Sequence, residues 1–260
     1  MPINTSNESL RKVKTILISQ PEPENGKSAY YDLAKKHKLK VDFVPFIHVE
    51  GVKWKDYRRK NRVDLLDYGA VIFTSKNAIS HFFRVCEESK TEMPAHTKYF
   101  CRSEAIGLYL QKFIQYRKRK VFNGKGSYDD LQKILEKHKA TEKFLLPCSD
   151  VNTRAFPEYM AKNEYNYTEA TLYKTVSSDL SDLKNIFYDM IVFFSPLGLK
   201  SLFENFPTFE QNETRLAVFG PATAKCIEDY KLRIDIRAPA PESPSMTMAI
   251  EKYVLTANKK

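Results

Sequence analysis

The chain has 260 residues, 42% hydrophobic and 28% charged, a balance ordinary for a soluble globular protein of one large or two medium domains. Its 42 Lys and Arg against 32 Asp and Glu give a formal net charge of +10, which favours an anionic partner: nucleic acid, acidic lipid, or a polycarboxylate or phosphate substrate. Cys86, Cys101, Cys148 and Cys226 stand apart without metal or C-x-x-C spacing, no stretch approaches the roughly 20 apolar residues of a membrane span, and the N-terminus lacks an apolar signal segment, so a cytoplasmic protein with reduced core thiols is expected.

Residues 1 to 12 are polar and expected to fray, after which Val13 to Ser19 reads as a buried strand closed by the loop Gln20-Pro21-Glu22-Pro23. Lys27 to His37 places Ala29, Tyr30, Leu33 and Ala34 on one helical face. Leu39 to Val49 returns as a long strand interrupted by Pro45, which suggests an edge or a crossover, and Trp54 to Leu66 as a basic helix whose Arg58, Arg59 and Lys60 mark a solvated face. Val71 to Phe73 is an apolar run that stops at Ser75; Lys76 and Asn77 then open a helix carrying Ile79, Phe82 and Phe83. Lys98 to Arg102 is a strand, followed by a helix from about Ser103 with Ile106, Leu110 and Phe113. The basic run Arg117 to Lys120 precedes a short strand, Val121-Phe122, and Asn123-Gly124-Lys125-Gly126-Ser127 leads into a helix with Leu131, Ile134 and Leu135.

Phe144 to Pro147 begins a second series, followed by a helix from about Arg154 to Lys162 and a second long strand, Tyr167 to Val176. Ile191 to Phe194 then repeats the earlier pattern: it stops at Ser195, Pro196 and Gly198 sit in the next helical turn, and Leu199, Leu202, Phe203 and Phe206 follow at helical spacing. The strand Arg215 to Phe219, the turn Gly220-Pro221-Ala222-Thr223 opening a helix, the strand Arg233 to Arg237, a Pro-rich loop and a last helix complete the chain. The two serines lie about 120 residues apart and other strand pairs recur at similar offsets, so a duplication is expected, with five strands alternating with helices in each half. That alternation predicts doubly wound parallel sheets with helices on both faces, the flavodoxin-like arrangement, with a cleft between two lobes.

Acid–base sets are sparse. His37, His48, His81, His96 and His138 each stand outside any recognised triad or metal motif. What recurs is a set of helix starts rich in Ser, Thr, Gly and Lys: Ser75-Lys76-Asn77, Ser103, Gly124 to Ser127, Ser195 to Gly198, and Gly220 to Thr223. Unpaired amides at such starts bind anions, although a serine there also serves as a plain N-cap. Nucleic-acid binding through the basic runs has no interleaved aromatic platform behind it.

The ordered segments VIFTSKNAI, LLPCSDVNTRAFPEYM, ATLYKTV, IVFFSPLGL, LAVFGPATAKCI and APAPESPSMTMAI resemble the uroporphyrinogen-III synthase family from about residue 14 to 254. The resemblance implies two flavodoxin-like domains joined by a two-stranded linker, one formed by residues 1 to 43 plus 173 to 260 and the other by 44 to 172. It implies a cyclising hydro-lyase of haem biosynthesis, a monomer free of nucleic acid and membrane, needing no metal or cofactor. Its substrate would be hydroxymethylbilane, an octacarboxylate that suits the basic balance, closed to uroporphyrinogen III with the last pyrrole ring inverted. Matching positions are Ser75, Tyr173, Ser195, Gly198, Gly220 and Thr223, with Lys76, Asn77, Ser103 and Pro196 beside them. Tyr173 would assist hydroxyl departure, or else pack as a strand tyrosine. Arg102-Ser103-Glu104-Ala105-Ile106 departs from the family's glycine turn, which leaves Arg102 to meet a carboxylate directly. The alternative is a bilobal protein that binds or senses small anions without catalysis.

Overall fold

A computed structural model describes residues 11–23, 26–61, 63–151 and 154–259; the expected fraying of the first residues lies mostly outside that set. The chain divides into two compact units, a discontinuous one of Met1–His48 with Val176–Lys260 and an inserted one of Val49–Thr175.

In chain order the elements are β1 (Thr15–Ile18), α1 (Ala29–His37), β2 (Lys40–Phe43), β3 (Ile47–Gly51), α2 (Trp54–Asn61), β4 (Ala70–Phe73), α3 (Lys76–Ser89), β5 (Lys98–Cys101), α4 (Glu104–Leu110) and β6 (Val121–Asn123). They continue with α5 (Tyr128–Glu136), β7 (Phe144–Ser149), α6 (Ala155–Lys162), β8 (Tyr167–Ser177), β9 (Met190–Phe193), α7 (Pro196–Asn205), β10 (Arg215–Phe219), α8 (Pro221–Asp229), β11 (Ile236–Ala238) and α9 (Met246–Ala257).

The discontinuous unit holds a five-stranded sheet of order β11-β10-β9-β1-β2, in which every pairing is parallel. Its inner strands are buried on both faces because successive side chains serve two different cores. Ile16, Ile18, Met190, Val192 and Ala217 pack with residues of α1 and α9, while Leu17, Ile191, Phe193, Leu216 and Val218 pack with residues of α7 and α8.

The inserted unit carries a six-stranded sheet of order β3-β8-β7-β4-β5-β6. Here Val71, Phe73, Tyr99, Cys101 and Leu145 face a core shared with α2, α3 and α4, and Ala70, Ile72, Phe100, Phe144 and Leu146 face one shared with α5 and α6. α3 forms because Ala78, Ile79, Phe82, Val85 and Cys86 make one apolar stripe, Ser75 caps its start, and Lys90 ends it in a left-handed turn.

Three expectations are corrected. Leu39 to Val49 is not one strand: Pro45 lacks an amide hydrogen, the chain breaks there, and β2 and β3 join different sheets. The division into five strands per half therefore becomes five and six, since β3 and β8, each running across a boundary between the units, are neighbours in the larger sheet. The expected helix to Leu66 likewise ends at Asn61, and a separate 3-10 turn covers Leu65–Asp67.

Candidate functional site

In parallel sheets the loops after the strands gather at one end, where the amides of the following helices point outward. In the inserted unit that end carries Ser75 after β4, Arg102 and Ser103 after β5, Gly124 and Lys125 after β6, and Ser149 at the end of β7 with Asp150 after it.

Tyr173 reaches this end through an irregularity of β8. Cys148 pairs with Thr171, but Ser149 pairs with Tyr173, so Leu172 is an extra residue opposite β7. A bulge of this kind re-aims the side chain that follows it. Ala170 and Leu172 are buried as strand alternation requires, and Tyr173 is buried directly after them, breaking the period of two. All three belong to the core on the α3 side.

The Tyr173 phenol lies 3.2 Å from the Ser75 Oγ. That oxygen also accepts the Ala78 amide at 3.1 Å, which is the N-cap of α3. Since the amide must donate, the Ser75 proton is left to point at the phenol oxygen whenever Tyr173 lacks its own. Burial pushes the Tyr173 phenol above its ordinary value; the Ser75 hydrogen bond opposes the rise, and Cys148 and Tyr128 nearby add to it. The phenol therefore holds its proton at neutral pH.

One ring face of Tyr173 stacks on His81, with centroids 4.8 Å apart and planes at 16°. Burial, then the Arg84 cation, lowers the His81 pKa. Arg84 Nε donates to His81 Nδ1 at 3.2 Å, so the neutral ring carries its proton on Nε2. Neither residue was singled out from the sequence. Their i, i+3 spacing on α3 was legible, whereas the stacking of His81 on Tyr173, 92 positions on, was not.

The other expected residues fall in two sets. In the inserted unit, Lys76 and Asn77 are exposed in the first turn of α3, and the Lys76 ammonium lies 5.6 Å from the centre of the Tyr109 ring. Ser103 holds the N-cap position of α4 without a side-chain cap bond; its backbone instead bridges to Lys125. Arg102 lies 5.3 Å from the centre of the Tyr128 ring, and its buried Nε has no hydrogen-bond partner. The loop after β6 comes so close that a Cβ on Gly124 would sit 2.6 Å from the Arg102 carbonyl oxygen.

In the discontinuous unit, Ser195 caps α7 by accepting the Gly198 amide at 3.2 Å, with Pro196 in the first turn where no amide is needed. A Cβ on Gly198 would meet Phe193, Ser195 and Ser19 only at 3.7–3.8 Å, so space does not demand glycine there. Gly220 is different: its φ of 86° lies in the region that favours glycine. Thr223 is 2% exposed, which leaves Pro221 and Ala222 as the open part of that turn. Among the described residues no group of three or more His, Cys, Asp or Glu side chains gathers as a metal site, and no helix is long and apolar enough to cross a membrane.

Two parallel α/β units, one inserted into the other, with a buried tyrosine and a capping serine at the carboxyl ends of the inserted unit's strands, define a class of two-unit α/β protein with a polar site at its strand ends. The family profile described as uroporphyrinogen-III synthase HemD matches residues 28–248, and the chain belongs to that family, an enzyme family of porphyrin biosynthesis acting on a small tetrapyrrole. Among solved structures it is similar to the uroporphyrinogen-III synthetase of Helicobacter pylori, with 14% identity and a TM-score of 0.55 over 93% of this chain and 99% of that one. It also resembles a mutant uroporphyrinogen III synthase of Thermus thermophilus, at 13% identity and a TM-score of 0.48, over 95% of this chain and 100% of that one. The first likeness carries the fold. No curated protein matches the sequence.

Proposed function

We propose that the chain closes hydroxymethylbilane to uroporphyrinogen III as a cyclising hydro-lyase, with Tyr173 as the proton donor. The reading is supported above all by one observation, a buried phenol held against a capping serine in a chain of this family. The C–O bond of the hydroxymethyl group breaks as the pyrrole nitrogen pushes electrons toward it, and the departing oxygen takes the Tyr173 proton to leave as water. The phenolate left behind accepts the Ser75 hydroxyl proton in a hydrogen bond, and the reaction's later loss of a pyrrole proton restores the phenol. The electrophilic azafulvene is then attacked by the substituted carbon of the last ring, and rearrangement closes the macrocycle with that ring inverted. Inversion is a matter of how the flexible tetrapyrrole is held, an effect of positioning more than of acid strength.

Arg102, Lys76 and the starts of α4 and α5 are the groups we assign to substrate carboxylates in the inserted unit, and the starts of α7 and α8 those in the discontinuous unit. The sensor alternative has no observation of its own to set against family membership. The test supplies hydroxymethylbilane, oxidises the products to porphyrins and separates the isomers. Type III product is expected; type I alone, at the spontaneous rate, overturns the proposal.

A further inference from the structure

Arg84 uses its guanidinium as a fork in four directions. Nε donates to His81 Nδ1 at 3.2 Å, Nη2 to the Val52 carbonyl at 2.9 Å and the Leu172 carbonyl at 3.0 Å, and Nη1 pairs with Glu88, which also accepts the Trp54 amide at 2.9 Å. One side chain on α3 thus fastens the end of β3, the start of α2 and the bulge of β8. Planar, always charged and carrying five donors, arginine fills this place in a way lysine cannot.

Both things that fix Tyr173 hang on this fork. Its backbone follows Leu172, the bulged residue, whose carbonyl accepts Arg84 and also the Val52 amide at 2.9 Å. Its ring lies on His81, whose tilt is set by the Arg84 Nε. The space for the fork comes from Gly51, where a Cβ would fall 2.6 Å from Arg84 Cζ and Nε.

We infer that Arg84, acting through His81 and the Leu172 carbonyl, is a positioning residue that holds the Tyr173 phenol in register for proton donation. This rests on the reading of Tyr173 as the donor. Misplacing a reacting group by about an ångström costs up to about a hundredfold in rate. Substrate carboxylates are met by other residues, so the loss falls on kcat while KM stays.

The experiment is a double-mutant cycle on the full chain. Arg84→Lys, and separately Gly51→Ala, which crowds the fork without removing its charge, should each lower kcat about 10- to 100-fold with KM within about twofold. In a Tyr173→Phe background the same changes should lower kcat no further, because the phenol they position is gone. An NMR spectrum of Tyr-labelled protein adds a readout apart from activity: the upfield shift that His81 imposes on the Tyr173 ring should shrink in both variants. If Arg84→Lys costs the same factor with and without the phenol, its role is structural and the inference fails while the donor reading stands. Unchanged kcat in Arg84→Lys has the same meaning. If Tyr173→Phe itself leaves turnover unchanged, the donor reading falls and the inference falls with it.

Discussion

The turn after β4 and the turn after β9 share one backbone: Ser75 has φ −152° and ψ 163°, Ser195 has φ −153° and ψ 154°, and each hydroxyl accepts the amide three residues on. Their neighbours differ. Ser75 also meets the Tyr173 phenol, whereas Ser195 has no second side-chain partner among the described residues. Six positions beyond the cap, the first helix carries His81 stacked on Tyr173, and the second carries Ser201, fully buried with an unpartnered Oγ. The cap is therefore scaffolding common to both units. Only in the inserted unit do a bulged strand and a histidine bring a phenol to that cap.

The comparison is broken most severely by removing the phenol. Tyr173→Phe keeps the ring on His81 and should lower turnover roughly 10- to 1000-fold with little change in thermal stability, as steady-state assays and a melting curve would show. Product released by the variant should still be type III. Unaltered turnover would reduce Tyr173 to a packing residue and make the two turns equivalent.

Ser75→Ala and Ser195→Ala sharpen the same contrast. Each loses an N-cap and about 1 kcal/mol of stability by chemical denaturation, but only Ser75→Ala should also lower kcat, since only that hydroxyl faces the phenol. An equal effect of both on kcat would mean that capping alone matters. Ser201→Ala should move the other way, raising stability by about 1 kcal/mol, because it removes a buried hydroxyl that no partner compensates.

The smallest effect is in pH. His81 has a folded-state pKa below the ordinary 6.5, so the unfolded chain binds its proton more readily. Stability contributed by keeping this ring neutral is full above about 6.5 and is lost as pH falls below it, when a proton on Nδ1 would oppose the Arg84 Nε. His81→Phe keeps a ring over Tyr173 without titrating, and its stability should decline less than the parent's between pH 7 and 5. Parallel declines would show that other groups, His138 among them, carry the acid sensitivity.

The doubly wound fold was legible because buried parallel strands print unbroken apolar runs such as Ala70 to Phe73 and Met190 to Phe193, and serine marks where the helices begin. Pro45 was visible as an interruption that suggests an edge or a crossover, and it is where the chain changes sheets. At the site, Ser75 and Tyr173 could be named from segments, but their contact spans 98 residues and depends on a bulge with no signature of its own. Arg84 was missed for the same reason: its partner at Leu172 is 88 residues away. Ser103, expected as a cap, holds that position without a side-chain bond, and its backbone bridge to Lys125 joins residues 22 positions apart.

The insertion of one unit into the other also sets an order of events on the ribosome. β1 belongs between β9 and β2, and the bond from Tyr188 to Asp42 joins residues 146 positions apart. At about 5–20 residues per second, β1, α1 and β2 emerge and then wait roughly 10 to 40 s for β11, the strand that completes their sheet. Residues 49–175 are contiguous, so the whole inserted unit leaves the exit tunnel in that interval. The part that bears Tyr173 can then reach its native contacts during synthesis, while the part that encloses it in the sequence must finish after its last helix is released.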